Sequence, residues 1–128
     1  MNQYDPQRAP DPEMWLTLDE QERIQLVEDY HRRQKVKLPS LKAHAAFHAI
    51  VENQLAEGLE SVQRAMVRLA KQGLSRHDSV HAVAWVLSQH FYELVNAKMA
   101  DPTEVVQARY AAAVERLNAA DWLAQNEE

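Results

Sequence analysis

Two glycines in 128 residues leave this chain few places to turn sharply, and both stand where an apolar periodic run ends, at Gly58 and Gly73. Glycine just past the last periodic residue is a helix stop, because it enters the left-handed region without a Cβ penalty. No stretch alternates apolar and polar residues with period two over a strand's length, and no internal repeat or low-complexity tract occurs. The pattern predicts an all-α fold, a bundle of about five helices. Thr17 and Glu20 have capping-box spacing, so a first helix is expected over 17–34 with Ile24, Leu26, Val27 and Tyr30 in its apolar set. Pro39 closes the following connection and Ser40 opens a second helix to about residue 57. A third covers 60–72. The fourth is capped by Ser75 and runs over 76–99, and the fifth, with Asp101 as cap and Pro102 at its first position, covers 102–123. Residues 1–16 contain Pro6, Pro10 and Pro12 and read as an extended arm anchored by Trp15, with one domain over 17–128.

The second of these helices places polar residues where its core stripe should be. At about 100° per residue, His44, His48, Val51 and Leu55 fall within about 80° of Leu41 on one side, and Glu52 about 20° on the other. Lys42, Asn53 and Glu57 occupy the opposite face, so no rotation of the helix buries its apolar residues while exposing both histidines. The fourth helix repeats the device, with His77 and His81 bordering a stripe of Val80, Val83, Leu87, Phe91 and Leu94. Trp85 continues the row of His77 and His81, so its indole is expected to wall one side of whatever they meet.

Two His-x-x-x-His pairs on separate helices suit a metal ion, since residues four apart stand one turn above each other on one face. With the two helices side by side, His44, His48, His77 and His81 are expected to converge on a divalent ion, zinc first, with iron, nickel or manganese as alternatives. Glu52 is the fifth candidate. Helix rise puts it about 6 Å from His48 and about 12 Å from His44, so it either completes a site with His48, orients an imidazole, or reaches a second ion. The plainer reading is a carboxylate paired with Arg64 or Arg76, just as each histidine alone reads as an ordinary core imidazole. His31, in the basic stretch "HRRQKVK", and His90 fall outside this constellation; that stretch reads as cations complementing a helix C-terminus.

Absences narrow the chemistry. There are no cysteines, so metal ligands must be nitrogen or oxygen. The formal net charge is −5, with acidic residues spread along the chain, which argues against phosphate-dominated nucleic-acid binding. No apolar run approaches the ~20 residues of a membrane span, and the first residues lack the apolar core of a signal peptide, so a soluble cytoplasmic protein is expected. "HAAFH" lacks the glutamate of zinc proteases. None of the four core histidines is preceded by three residues by a glutamate, and no Gly-rich phosphate loop or nucleophile elbow exists.

The stretch from Leu41 to Leu94, with "HAAFHAIVENQLAEG" and "LAKQGLSRHDSVHAVAWVL", resembles an uncharacterised family of small bacterial helical proteins of unknown function. The resemblance covers under half the chain and rests on the paired His-x-x-x-His segments. It implies a bacterial, cytoplasmic, helical protein and brings no activity with it. Three classes follow from the residues. One is a metalloprotein with an open coordination position, where Glu52 is a ligand or a base. Another is a closed four-histidine staple. The last is a metal-free module whose amphipathic face recruits a partner or a second copy. Binding ranks above catalysis, and no catalytic residue is assigned.

Overall fold

The structure is a computed structural model that describes residues 3–34, 40–95 and 102–126. Among them the backbone forms helices and connecting turns only: α1 (Pro12–Thr17), α2 (Glu20–Arg33), α3 (Leu41–Ala56), α4 (Glu60–Lys71), α5 (Arg76–Val95), α6 (Thr103–Arg116) and α7 (Ala119–Asn126). The all-α bundle expected from periodicity is what the chain forms. Contacts divide the chain into two compact units, Met1–Leu59 and Glu60–Glu128.

Local chemistry explains the boundaries. Gly58 and Gly73 adopt φ of 80° and 101°, in the left-handed region. At each, two backbone bonds close a Schellman motif: Gly58 to Leu55 and Leu59 to Gln54, then Gly73 to Ala70 and Leu74 to Leu69. Ser40 caps α3 through the amide of Ala43, and the Ser75 hydroxyl accepts from the amide of Asp78 at 3.1 Å. The capping box of the second helix lies two residues beyond the expected one, between Asp19 and Glu22 rather than Thr17 and Glu20. Thr17 instead ends a short helix, α1, in the segment expected to be extended. Asp11 accepts from the amides of Glu13 and Met14, and Pro12 sits at the first helical position, where a missing N–H costs nothing. The expected last helix is broken: Leu117 is extended at φ −62°, ψ 133°. Asn118 then starts α7 by accepting from the amide of Asp121 at 2.9 Å. The expected cap at Asp101 and the last residues of the helix expected over 76–99 lie outside the described residues.

In the first unit α3 packs along α2 and receives α1. The core joins Tyr4, Trp15, Val27, Ala45 and Ala49, with Leu18, Ile24, Leu26, Tyr30 and Ala56 against it. Alanine at 45 and 49, one turn apart, forms a low ridge that lets α2 approach closely. Arg23 ties the three helices. Its Nε and Nη2 donate to the carbonyls of Trp15 and Leu16, and its Nη1 donates to Oδ1 of Asn53, which also accepts from the Trp15 indole at 2.8 Å. Asn53 is thus half-buried, on a face of α3 expected to meet solvent.

In the second unit α4, α5 and α6 pack on one another. Arg68 of α4 closes the end of α6, donating from Nε to the Leu117 carbonyl at 3.0 Å and from Nη2 to that of Val114 at 2.8 Å. The Val114 carbonyl also accepts from the Leu117 amide at 3.2 Å, and a cation at this end of α6 complements the helix dipole. Gln72 accepts from the Ala119 amide, and Arg64 pairs with Glu115 at 3.0 Å. No helix of the described residues is long and apolar enough to cross a membrane.

Gly73→Ala should destabilise the protein by about 1–2 kcal/mol, the cost of a left-handed alanine, because open space surrounds its Cβ position and no clash adds to it. Asp19→Ala should cost about 1 kcal/mol through loss of its cap. Urea unfolding of each variant measures both, and an unchanged midpoint for either would contradict the role given to that residue.

Candidate metal centre

The close approach of α2 and α3 decides which histidines meet in the first unit. Val27 faces the alanine ridge, and His31 follows it by one turn, so the same packing that buries Val27 buries the imidazole. His31 is 1% exposed, His48 is fully buried and His44 is half-buried. Their rings form a triangle, with centroid separations of 4.8 Å for His31 to His44, 5.0 Å for His31 to His48 and 4.5 Å for His44 to His48. One ring nitrogen from each lies within 4.8 Å of those of the other two.

The His31 ring is held by its own helix. Its Nδ1 lies 2.8 Å from the carbonyl oxygen of Val27. A carbonyl only accepts, so Nδ1 carries the hydrogen and, in the neutral ring, Nε2 carries the lone pair. Metal sites fix the tautomer and orientation of a ligand imidazole through such a bond to its other ring nitrogen. Tyr30 packs edge-on to the same ring at 5.4 Å. A tetrahedral ion with nitrogen ligands at about 2.0–2.1 Å spaces them about 3.3 Å apart. The ring nitrogens of the three imidazoles, within 4.8 Å of one another, compare with that spacing.

His44 and His48 therefore lie where the sequence places them, on one face of α3 and turned inward. His31 joins them although it stands outside the expected constellation. The signal was present, since Ile24, Val27 and His31 share one helical face, but the arginines beside it read as a solvated helix end. His31 also follows a glutamate by three residues, a spacing the other histidines of the constellation lack. That residue, Glu28, is 5% exposed, and its carboxylate receives Arg32 at 3.2 Å.

His77 and His81 form a contacting pair on α5 in the second unit, half-buried, with ring centroids 4.3 Å apart. Trp85, expected to wall them, lines a cleft with Val86, Gln89, Ala113, Arg116, Leu117 and Asp121. His90 packs on Tyr110 at 6.2 Å. Glu52 is 1% exposed and one turn beyond His48, and it is not among the ligand atoms gathered within 4.8 Å. Its carboxylate accepts the phenol hydrogen of Tyr4. Arg64, one of its expected partners, pairs with Glu60 and Glu115 instead.

No family model matches the chain, and no curated protein or solved structure matches it either. Function is therefore argued from the imidazole cluster.

When His31 is neutral it should be the Nδ1–H tautomer. Histidine-selective nitrogen NMR at neutral pH reads this directly, and a protonated Nε2 with bare Nδ1 would contradict the geometry described.

Proposed function

We propose that this protein binds a divalent transition-metal ion through the imidazoles of His31, His44 and His48. The observation that carries the reading is the triangle of rings, two of them buried, with ring nitrogens within 4.8 Å of one another and one ring oriented by a backbone carbonyl. Imidazole is a borderline donor that suits zinc, iron and nickel, so zinc stands first and iron or nickel next. Manganese, which prefers oxygen, requires a carboxylate such as Glu52 to join the set. The sequence supplies further ligands in His77 and His81, whose spacing repeats that of His44 and His48, and they stay in the proposal on that ground. The reading assigns metal binding and no reaction.

Metal affinity should follow imidazole protonation. Ligands on the ion bind no proton, whereas in the unfolded chain they titrate near about 6.5, so the unfolded state binds more protons as pH falls. Stability conferred by the metal is therefore present above that range and is lost below it. Free zinc at about 100 times its Kd contributes about 2.7 kcal/mol, enough to raise the melting temperature by roughly 10 °C for a small domain.

The test is elemental analysis of protein purified without a histidine tag, with melting curves with and without zinc at pH 7 and pH 5. Wild type should hold bound metal and gain its zinc-dependent stabilisation at pH 7 alone. His48→Ala and His31→Ala should lose both. If the histidines only fill a core, His48→Ala will lower stability by about 2–5 kcal/mol as large-to-small core changes do, with no metal to lose. His81→Ala reports separately on whether the second pair contributes a ligand.

A further inference from the structure

The residues beneath the imidazole triangle connect it to the segment that precedes α1. Tyr4 is 1% exposed and sits in the core of the first unit. Its ring packs on Trp15 at 5.7 Å and edge-on to Tyr30 at 6.3 Å, and Tyr30 in turn packs edge-on to His31. Its hydroxyl donates to Glu52, which follows His48 by one turn on the same buried face. Arg33 holds the backbone of the segment, donating from Nη2 to the Tyr4 carbonyl at 3.3 Å while its guanidinium lies 5.9 Å from the Tyr30 ring centroid. Tyr4 therefore stands one side chain away from His31 through Tyr30, and one side chain away from His48 through Glu52.

Charge makes this placement matter to an ion. Three neutral imidazoles leave a divalent ion with its full charge in a region from which water is excluded, and such a charge is costly without a nearby opposite one. Glu52 is the buried carboxylate closest along α3, and residues four apart on a helix have side chains within reach of each other. A carboxylate free to rotate serves this purpose poorly. One held by a phenol from a distant part of the chain keeps its negative charge fixed beside the site.

Resting on the metal-site reading above, we propose that Tyr4 is a positioning residue for the metal centre, acting through Glu52, so that metal binding and docking of the segment before α1 are coupled. Coupling is reciprocal: if the docked segment strengthens metal binding, the metal must strengthen docking by the same factor. The segment then behaves as a strap that closes more firmly when the ion is present.

The experiment uses zinc alone, with affinity measured by competition against a chromogenic chelator for wild type, Tyr4→Phe and Glu52→Gln. Tyr4→Phe removes only the hydroxyl, and Glu52→Gln removes the charge while keeping shape and an acceptor oxygen. Both should raise the Kd for zinc about 10-fold or more, the scale of outer-shell changes at metal sites. Tryptic cleavage after Arg8, an exposed residue within the strap, supplies the reciprocal readout. Zinc should slow it in wild type and have less effect in both variants. A purely structural role would lower the melting temperature of the metal-free protein while leaving the zinc Kd unchanged, and that result overturns the proposal, as does cleavage indifferent to zinc. Should Tyr4→Phe fail to fold, Glu52→Gln decides alone. A wild type that takes up no zinc overturns the histidine site itself, whereas zinc binding that His48→Ala abolishes and both strap variants preserve overturns only the strap.

Discussion

The alanine ridge on α3 is the constraint from which the arrangement of the first unit follows. Ala45 and Ala49 present almost no side chain toward Val27, so α2 and α3 approach closely, and whatever flanks the ridge is buried with it. On α3 the flanking positions are His48 and Glu52, and on α2 the position one turn past Val27 is His31. Larger residues at the ridge would part the helices and separate the rings. The ordinary demand of close packing between two helices thus buries His31, His48 and Glu52, with His44 half-buried beside them, where hydrophobic residues would serve stability more simply.

Polar groups so placed must be satisfied, and the first unit does so with both local and long-range hydrogen bonds. Val27 turns its carbonyl to His31, Tyr4 gives its hydroxyl to Glu52, and Asn53 joins Trp15 to Arg23. Each bond also fixes a rotamer. Net stabilisation from such a bond is modest, about 1 kcal/mol, but the cost of leaving a buried group unmade is larger, so the network specifies one geometry more than it adds stability. A centre that holds a metal needs this rigidity, because ligand angles tolerate little variation. A core that merely excludes water does not.

Much of this was legible in the sequence because its determinants are local. Helix ends at Gly58 and Gly73 and starts at Ser40 and Ser75 depend on a few adjacent residues, and the burial of His44 and His48 follows from the face they share with Leu41 and Leu55. Where two local signals compete, the sequence alone is ambiguous. Three prolines suggested extended chain before Trp15, but Asp11 and Pro12 together form a helix start. Apolar spacing runs on through Leu117 to Trp122, since both are buried, and so hides the break that Asn118 caps. His31 was masked by its arginine neighbours, although its register with Val27 marks the buried face. Ala45 and Ala49 passed unnoticed because small residues weigh little in an apolar count while controlling how near two helices come. The bond from Tyr4 to Glu52 spans 48 positions and leaves no periodic trace.

The number of protein ligands bears on what a site of this kind is for. Structural zinc sites are closed by four protein ligands, whereas sites that act on other molecules keep a position open to them. In the proposed site His31, His44 and His48 would supply three, each neutral when bound, so the remaining position and the charge balance would be set by what stands next to them. A fourth protein ligand would close the shell and favour a staple. A carboxylate held back from the ion by Tyr4 would balance charge while leaving the shell open. These two outcomes draw on different residues of the same chain, and the hydrogen bond that fixes Glu52 favours the second, because a carboxylate already engaged by a phenol orients a site more readily than it enters the coordination shell.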